Sequence, residues 1–407
     1  MHLDKSLLFP PSLSIYSRSD GSILVKEGES MSYKEGIRKV GGKMMFTSRV
    51  TEILQVKNPI IQAGMAGAIT TPELVAAVSN SGGLGTLGAG YMSPEQIRDA
   101  IYKIRELTDK PFGVNLLLTK EVKIEEKVKE ANVLLEAVNR ELGIEGEQAL
   151  KLPKSYKAQL QVLLEEKVPV VSFAFQTLEK EEIDELKRRG IKVIGTATHV
   201  AEAKALAELG IDIIVGQGSE AGGHRGTFIG KERDAMIGTF ALIPQLVAAV
   251  PHIPIVAAGG VMNGQGLVAA FALGAEAVQM GSAFLTSEES ITHDAYKEAV
   301  LQSTDTSTTV TRSFSGKYAR GIRNEFIERH EEKEEELPMY PVQNVLTSKI
   351  RQEAAKQNKE EYMSLWAGQA SSLARTESAQ HIVKRVMNES ENVIEQLQNV
   401  YRKRPLE

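Results

Sequence analysis

Short runs of apolar residues recur along the chain, and most of them are followed by a segment with the apolar spacing of a helix. The runs are nearly continuous rather than alternating, which is typical of parallel strands covered on both faces. Eight such runs are present: PIIQAG (59–64), GLGTLGAG (83–90), FGVNLLL (112–118), VPVVSFAF (168–175), KVIGTA (192–197), IDIIVGQG (211–218), IPIVAAGG (253–260) and AEAVQMGSAF (275–284). Eight strand–helix alternations predict an α/β protein with a (β/α)8 TIM barrel. A doubly wound open sheet is the alternative, because spacing alone does not show closure.

The segments between the runs carry the start and stop signals of helices. TPELVAAVSNSGG has Thr70 or Thr71 as its candidate N-cap, Pro72 in its first turn and glycines at its end. SPEQIRDAIYKIRELTDKP begins and ends in the same way, and THVAEAKALAELG and GQGLVAAFALGA complete the pattern. These signals predict helices as the connections between the strands.

Four parts of the chain depart from strict alternation. Residues 1–43 have turn-forming residues and no sustained period, so we expect an irregular extension ahead of a barrel over 44–289. Residues 119–166 separate the third and fourth runs by far more than one helix, which predicts a helical insertion after strand three. Residues 290–365 predict a mostly helical segment after strand eight, and 366–407 predict a C-terminal helix that returns to the barrel.

The VGGKMM stretch before the first regular element suggests a start site. It back-translates readily to a purine-rich ribosome-binding sequence just ahead of a start codon. We therefore hypothesise that the native chain begins at Met44 or Met45 and that residues 1–43 are a translated leader. N-terminal mass spectrometry of the protein from its native host tests this, and peptides from residues 1–43 would refute it.

Composition narrows the classes of function. The net charge of −5 and the pI near 6.0 give no basis for a nucleic-acid or membrane-surface partner. The chain has no cysteine, which excludes disulfides, thiolate nucleophiles, iron–sulfur ligation and cysteine-based zinc sites. The N-terminus lacks the basic start, apolar core and cleavage site of a signal peptide. We expect a cytoplasmic protein without a metal that acts on a small molecule.

The candidate chemistry lies at the strand ends, because TIM-barrel active sites form at the C-terminal ends of the strands. Many barrels build a phosphate site from the loops after strands seven and eight. In this chain those loops are rich in glycine, whose backbone N–H groups can approach a ligand closely. The candidate phosphate-binding residues are Gly259, Gly260, Gln279, Met280, Gly281 and Ser282.

A ligand whose phosphate group binds at this place would also need a large slot for its remaining atoms. Asn115 and Gln217, at the ends of strands three and six, can read a polar ring edge through uncharged amides. FMN fits both demands. Because the strand ends carry no cysteine and no charged cluster, a cofactor that performs the difficult step is the natural source of chemistry.

His224 is the candidate catalytic residue. It lies in the glycine-rich SEAGGHRG loop after strand six, and imidazole suits proton abstraction because it titrates near neutral pH. A structural hydrogen bond is the alternative role for His224. Arg225 is either structural or a substrate-anion contact, His199 is a weaker candidate, and His252 precedes strand seven at the opposite end of the barrel.

In combination these stretches resemble the nitronate monooxygenase family, formerly called 2-nitropropane dioxygenases. The resemblance covers residues from about 46 to 375. It rests on PIIQAGMAGAITTPELVAAVSNSGGLGTLGAGY, PFGVNLLL, VSFAF, GSEAGGHRG, IPIVAAGGV, GAEAVQMGSAFLTSEES, TRSFSGKYARGIRN and WAGQ.

The resemblance implies a TIM barrel with tightly bound FMN. It also implies oxidation of alkyl nitronates, and in some members of nitroalkanes, by dioxygen to a carbonyl compound and nitrite. By position, His224 matches the family's active-site histidine, and Asn115, Gln217 and Gly222 match flavin contacts. Gly260 and the run from Gln279 to Ser282 match the phosphate clamp. Gln176 stands where the family commonly has glycine, so we expect a pocket of different shape there.

Other functions fit part of the same pattern. A flavin-dependent enoyl-ACP reductase shares the barrel and the EAGGH loop, and an NAD(P)H:quinone reductase is a further alternative; oxidation of NAD(P)H would separate both from a nitronate monooxygenase. A flavin- or phosphate-binding protein without catalysis is the alternative from another class.

Met65, Phe175 and Met280 suit a pocket for small alkyl chains and dioxygen, or simply core packing. Whether the chain forms a homo-oligomer is left open by the sequence.

Overall fold

The computed structural model describes residues 46–402 except Ala68, 120–127, 147–151 and 153–154, and ahead of them only the backbone of short strands. These strands form two antiparallel pairs, Ser14–Ser17 with Ile23–Lys26 and Gly36–Val40 with Lys43–Thr47. The expectation of a wholly irregular extension over residues 1–43 is therefore corrected, since short β-branched runs such as ILVK favour strands. The hypothesis of a start at Met44 or Met45 stays a prediction.

Eight parallel strands form one sheet that closes into a barrel. Each strand pairs with its neighbours in chain order, and a parallel bridge between Ile61 and Leu84 joins the first strand to the start of the second. This closure confirms the (β/α)8 barrel and excludes the open sheet. The strands are Ile60–Gln62, Gly85–Gly88, Phe112–Leu117, Val170–Ala174, Lys192–Ala197, Ile213–Gln217, Ile255–Ala258 and Ala277–Met280.

Helices follow the strands, and their first turns show why they begin where they do. Thr71 caps the first by accepting from the Leu74 N–H at 3.0 Å, and Ser93 forms a capping box with Gln96 at the start of the second. The helices are Pro72–Asn80, Pro94–Leu107, Lys157–Glu165, Lys180–Arg188, Val200–Glu208, Thr239–Ala249, Gly264–Ala272 and the short Ser282–Leu285.

A helix ahead of the barrel, Arg49–Leu54, packs against the inward-facing side chains of the strands. Its Val50 and Leu54 are buried in one cluster with strand residues such as Ile61 and Val256. An ion pair between Arg49 and Glu276 also holds it to the start of strand eight. Burial of this apolar face closes one end of the barrel, so a ligand must enter at the other end.

The described residues of the segment 119–166 form two helices in different surroundings. Lys157–Glu165 packs on the second barrel helix and on strand three, and it takes the place of the third barrel helix. Val128–Glu141 instead buries Leu135 and Val138 in a second apolar cluster outside the barrel wall. Most of that cluster comes from residues after strand eight, so the two irregular parts of the chain share one core.

The segment 290–365 was expected to be mostly helical, and beside its helices and 3-10 turns it contains two short strands. Two strands, Thr308–Thr311 and Ala319–Ile322, pair with each other, and the second pairs with Gly223–His224 of the loop after barrel strand six. The pattern TTVT and ARGI was too short to predict them. The other elements are the helices Asp294–Leu301, Glu325–His330, Val342–Leu346 and Ser348–Lys356 and the 3-10 turns Glu331–Glu336 and Glu360–Tyr362.

The chain ends on the barrel surface. After a 3-10 turn at Ser371–Leu373, the helix Ala379–Arg402 packs against Gly264–Ala272 and Pro72–Asn80. Gly264 allows the close approach, because a Cβ there would lie 2.3 Å from the backbone nitrogen of Ser390. Within the described part of the chain, no helix is long and apolar enough to cross a membrane.

Candidate active site

A cavity of about 500 Å³ opens at the C-terminal ends of the barrel strands. Its volume falls in the range of about 300–1,000 Å³ that is usual for small-molecule and cofactor sites. All ten residues proposed from the sequence line it: Asn115, Gln217, Gly222, His224, Gly259, Gly260, Gln279, Met280, Gly281 and Ser282. The structure therefore brings the candidate residues together, and what each of them binds stays a prediction.

Arg225 shapes the loop that carries His224. Its side chain is fully buried, and its guanidinium donates to the carbonyl oxygens of Gly218 at 2.6 Å, Gln217 at 2.8 Å and Ala235 at 3.1 Å. These bonds satisfy carbonyls that the irregular loop leaves without backbone partners. Of the two roles considered for Arg225, the structural one holds, because the guanidinium does not reach the cavity surface.

The two candidate amide side chains differ in how many of their hydrogen-bonding groups are already used within the protein. Gln217 cross-links the loop: its amide nitrogen donates to the His224 carbonyl at 3.0 Å, and its oxygen accepts from the Gly226 N–H at 2.7 Å. Asn115 accepts from the Ser172 hydroxyl at 2.9 Å, and its amide nitrogen donates to no other residue that the structure describes. Asn115 thus retains more capacity for a ligand than Gln217 does.

The position and tautomer of His224 are set by residues from the segment after strand eight. The Ser315 hydroxyl lies 2.9 Å from His224 Nε2 and donates its own proton to the Lys317 carbonyl at 3.0 Å. While the Ser315 hydroxyl donates its single proton to Lys317, it accepts from Nε2–H, and in this arrangement Nδ1 carries the lone pair. The imidazole also contacts three aromatic rings, with centroid separations of 5.2–5.9 Å, namely Phe175, Tyr340 and Trp366.

The charge state of His224 differs from the expectation that it titrates near neutral pH. Burial of the imidazole, assisted by the positive charges of Lys317 and Arg351, lowers the pKa of His224 to about 3. The imidazole is therefore neutral throughout the physiological pH range. A neutral imidazole with a free Nδ1 lone pair is the form that can accept a proton.

Phe175 forms the wall behind His224 at a conformational cost. Its φ of 80° lies in the left-handed region, where non-glycine residues are uncommon. Lys317 Nζ lies 5.0 Å from the centroid of its ring, and that ammonium also donates to the Thr227 carbonyl and pairs with Glu232. These contacts hold the ring against the imidazole and offset the strain.

Glycines at the strand ends leave backbone N–H groups facing the cavity. Gly259 and Gly260 have φ values of +116° and +73°, and a Cβ at Gly259 would lie 2.8 Å from the Thr239 hydroxyl. Among the hydrogen bonds of the described residues, the N–H groups of Gly259, Gly260 and Gly281 have no acceptor. Consecutive free N–H groups in this conformation favour an anion.

Two neighbouring polar groups are occupied within the protein. The Glu220 carboxylate accepts from the Thr239 N–H and hydroxyl and so caps the helix Thr239–Ala249. The Ser282 hydroxyl accepts from the Gly368 N–H at 2.8 Å. Gly368 also lies against Gly222, since a Cβ at Gly222 would be 2.5 Å from the Gly368 nitrogen. The late WAGQ stretch therefore packs directly on the loop that carries His224.

Sequence reasoning missed several residues of the cavity region. The missing members are Ser315, Tyr340, Arg351 and Trp366, together with Tyr91 in the loop after strand two. TRSFSGKYARGIRN and WAGQ were recognisable as family stretches, but nothing in their spacing places Ser315 beside His224. His199 Nε2 donates to the Ile229 carbonyl at 3.0 Å, and His252 lines a separate cavity at the opposite end of the barrel.

Comparison with known proteins shows which protein family this chain is similar to. The model of the nitronate monooxygenase family matches residues 47–389. A probable nitronate monooxygenase from Staphylococcus saprophyticus is 47% identical over 356 residues, which are 86% of this chain and 99% of the relative. A probable nitronate monooxygenase from Staphylococcus aureus strain JH9 is 45% identical over 352 residues, 86% of this chain and 98% of the relative.

Two solved structures extend the comparison. Nitroalkane oxidase from Streptomyces ansochromogenes is 37% identical and superposes with a TM-score of 0.81, covering 86% of this chain and all of its own. FabK from Thermotoga maritima is 34% identical with a TM-score of 0.70, covering 87% of this chain and 99% of its own. Both similarities cover more than four-fifths of this chain.

Proposed function

The chain belongs to the nitronate monooxygenase family of oxidoreductases, and we propose that it binds FMN and oxidises alkyl nitronates with dioxygen to a carbonyl compound and nitrite. The observation that carries the proposal is the position of His224. Its neutral imidazole, held as the Nε2–H tautomer by Ser315, lines the same cavity as the free N–H groups of Gly259, Gly260 and Gly281. The anion cradle suits the phosphate of the cofactor, and the base suits those substrates, the neutral nitroalkanes, that still carry the acidic proton.

The residues present fit FMN. The N–H groups of Gly259, Gly260 and Gly281 would hold its phosphate, and a side chain at either of the first two positions would need a strained backbone. Asn115 would donate to the polar edge of the ring, with Gln217 and Gly222 beside it. Bound FMN supplies redox chemistry that no side chain can provide, accepting electrons from the substrate and returning them to dioxygen.

His224 performs the proton transfer in this proposal. A nitro group acidifies the adjacent C–H bond, because the resulting anion is delocalised onto two oxygens. Nδ1 of His224 takes that proton when the substrate is a neutral nitroalkane, while Ser315 keeps the imidazole oriented by accepting from Nε2–H. A nitronate supplied as the anion has already lost the proton, so its oxidation needs no base.

The apolar wall sets the substrate class. Met65, Phe175 and Met280 all line the cavity, and the last two are nearly fully buried. Apolar side chains exclude water and leave room for a short alkyl chain and dioxygen. We therefore propose small alkyl nitronates as substrates, with neutral nitroalkanes as slower ones.

A second candidate function has its own support. The similarity to FabK over the whole barrel favours a flavin-dependent enoyl-ACP reductase as the alternative, and an NAD(P)H:quinone reductase belongs to the same group of possibilities. Both need a reduced nicotinamide nucleotide, whereas nitronate oxidation does not. Dependence on NADH or NADPH is therefore the discriminating property.

One experiment tests the proposal against both alternatives. The purified protein is denatured to release and identify its flavin, and the native protein is then mixed in air with ethyl nitronate while oxygen and nitrite are measured without NADH or NADPH. We expect FMN, oxygen consumption and nitrite release. A flavoprotein that leaves nitronate unchanged but oxidises NADH or NADPH would overturn the proposal in favour of a reductase, and a protein that binds no FMN would overturn the cofactor assignment.

A further inference from the structure

Arg351 is a cation in the cavity wall that the proposed chemistry does not yet use. It lies on the helix Ser348–Lys356, lines the cavity, and is close enough to His224 to contribute to the lowered pKa of the imidazole. No carboxylate among the described residues forms an ion pair with it. Lys317, the other cation near His224, is paired with Glu232 and is neutralised in place.

The hydrogen bonds of Arg351 leave part of its guanidinium free. Its Nη2 donates to the Asn344 carbonyl at 2.6 Å and to the Asn344 side-chain oxygen at 3.1 Å. Its Nε is buried and has no partner among the residues that the structure describes. Nη1 donates to no residue that the structure describes, so it is the donor that this cavity-lining guanidinium retains for a ligand.

A tyrosine hydroxyl accompanies this cation. Tyr91, from the loop after barrel strand two, lines the cavity, and its hydroxyl interacts with that of Tyr340. Tyr91 is 43% exposed as a whole, but desolvation of its hydroxyl raises the pKa of Tyr91, so the hydroxyl stays protonated and can donate. Arg351 and Tyr91 thus offer hydrogen-bond donors to the cavity, and no described carboxylate forms an ion pair with Arg351.

A neutral His224 cannot balance the charge of an anionic substrate, and Arg351 can. A nitronate is a planar anion whose charge is shared by two oxygens, and the guanidinium, whose Nη2 is held by Asn344, can donate to one of these oxygens from Nη1. We propose that Arg351, assisted by the Tyr91 hydroxyl, binds the nitronate oxygens and gives the site its preference for the anion over the neutral nitroalkane. This inference rests on the proposed function and assigns the recognition of charge to a residue other than the base.

The two residues then have separable roles. Arg351 contributes to binding of a nitronate in the ground state, whereas a neutral nitroalkane acquires charge only as His224 removes its proton. Loss of Arg351 should therefore raise KM for the nitronate, but lower kcat for the nitroalkane with little change in its KM. Loss of His224 should abolish nitroalkane turnover and spare that of the nitronate.

The test compares Arg351→Met and Arg351→Lys with the wild type. The matched control is Arg329→Met, which removes a surface arginine that pairs with Glu141 and Glu325. Steady-state kinetics with ethyl nitronate and nitroethane give the KM and kcat split. Titration of the flavin-loaded protein with sodium nitrite, followed by perturbation of the flavin spectrum, gives the affinity for a planar two-oxygen anion without turnover.

We expect Arg351→Met to weaken nitrite binding and raise KM for ethyl nitronate about 10- to 100-fold, the size of a lost charge-assisted hydrogen bond. Arg351→Lys should recover part of the loss and Arg329→Met should match the wild type. Nitrite affinity and nitronate KM within twofold of the control would overturn the proposal.

Two further arms keep the outcome interpretable. If Arg351→Met does not retain its flavin, the half-exposed Tyr91→Phe serves instead, with an expected loss in nitrite affinity of about 3- to 10-fold, and an unchanged affinity would overturn the proposal. If nitronate is not turned over at all but nitrite binding still depends on Arg351, the result supports the proposed anion site and refutes the proposed reaction.

Discussion

The neutral state of His224 has a measurable consequence for stability. The folded protein holds the pKa of His224 at about 3, whereas an unfolded chain has a histidine pKa of about 6.5. When the pH falls below 6.5, the unfolded state binds a proton that the folded state does not. Stability contributed at this position is therefore lost progressively as pH falls from about 6.5 towards 3.

The magnitude between pH 7 and pH 5 follows from the unfolded pKa. Proton uptake by one unfolded histidine over that interval, with none by the folded one, destabilises the fold by about 2 kcal/mol. The result is insensitive to the exact folded pKa, provided that it lies well below 5. In His224→Gln this pH-dependent loss is absent, while the Gln amide can still donate to Ser315.

The assay is urea unfolding of flavin-free wild type and His224→Gln at pH 7 and pH 5. The difference between the two proteins at each pH removes the contribution of every other titratable group that the substitution does not touch. We expect this difference to change by about 2 kcal/mol between the two pH values, with the wild type losing more at pH 5. A change below about 0.5 kcal/mol would show that His224 titrates in the folded state much as in the unfolded chain, and the argument for a neutral base would fail.

Three further substitutions test other parts of the site. Ser315→Ala should lower kcat for nitroethane about 10-fold, since it loses one hydrogen bond that orients the base, and leave ethyl nitronate turnover unchanged; equal losses with both substrates would contradict the tautomer argument. Gly259→Ala should lower the flavin content of the purified protein, whereas Gly190→Ala, also at positive φ but with open space around it, should not; equal retention would remove the glycine from the cradle. Arg225→Met should lower the free energy of unfolding by on the order of 3 kcal/mol in urea, because three buried carbonyls lose their donor, and a loss below about 1 kcal/mol would refute its structural role.

The barrel was predictable because short stretches of sequence determine its strands and helices, and the same strand–helix pattern recurs along the chain. A parallel strand covered on both faces needs a short, continuous apolar run, and the helix after it needs a cap, so IPIVAAGG and TPELVAAVSNSGG predict their own elements. The strand ends of a closed barrel converge, which is why Asn115, Gly259 and His224 could be placed together before any coordinates. Closure itself was not predictable from spacing and required the Ile61–Leu84 bridge.

The rest of the site depends on long-range packing. Ser315 reaches His224 across 91 positions of sequence, through strands of four residues each that have no clear period. The pKa of His224 could not be predicted either, because it follows from burial and from Lys317 and Arg351, which the fold brings near. Gln217 was expected to face a ring edge with its amide, but the amide is largely engaged in cross-linking the loop.

The central claim is that this cavity oxidises nitronates without a nicotinamide nucleotide. Its most direct test is anaerobic mixing of the flavin-loaded protein with ethyl nitronate, with flavin absorbance as the readout and NADH and NADPH in parallel. The account predicts loss of absorbance with ethyl nitronate alone, and recovery with release of nitrite when air is admitted. Loss of absorbance with NADH or NADPH and none with ethyl nitronate would contradict it.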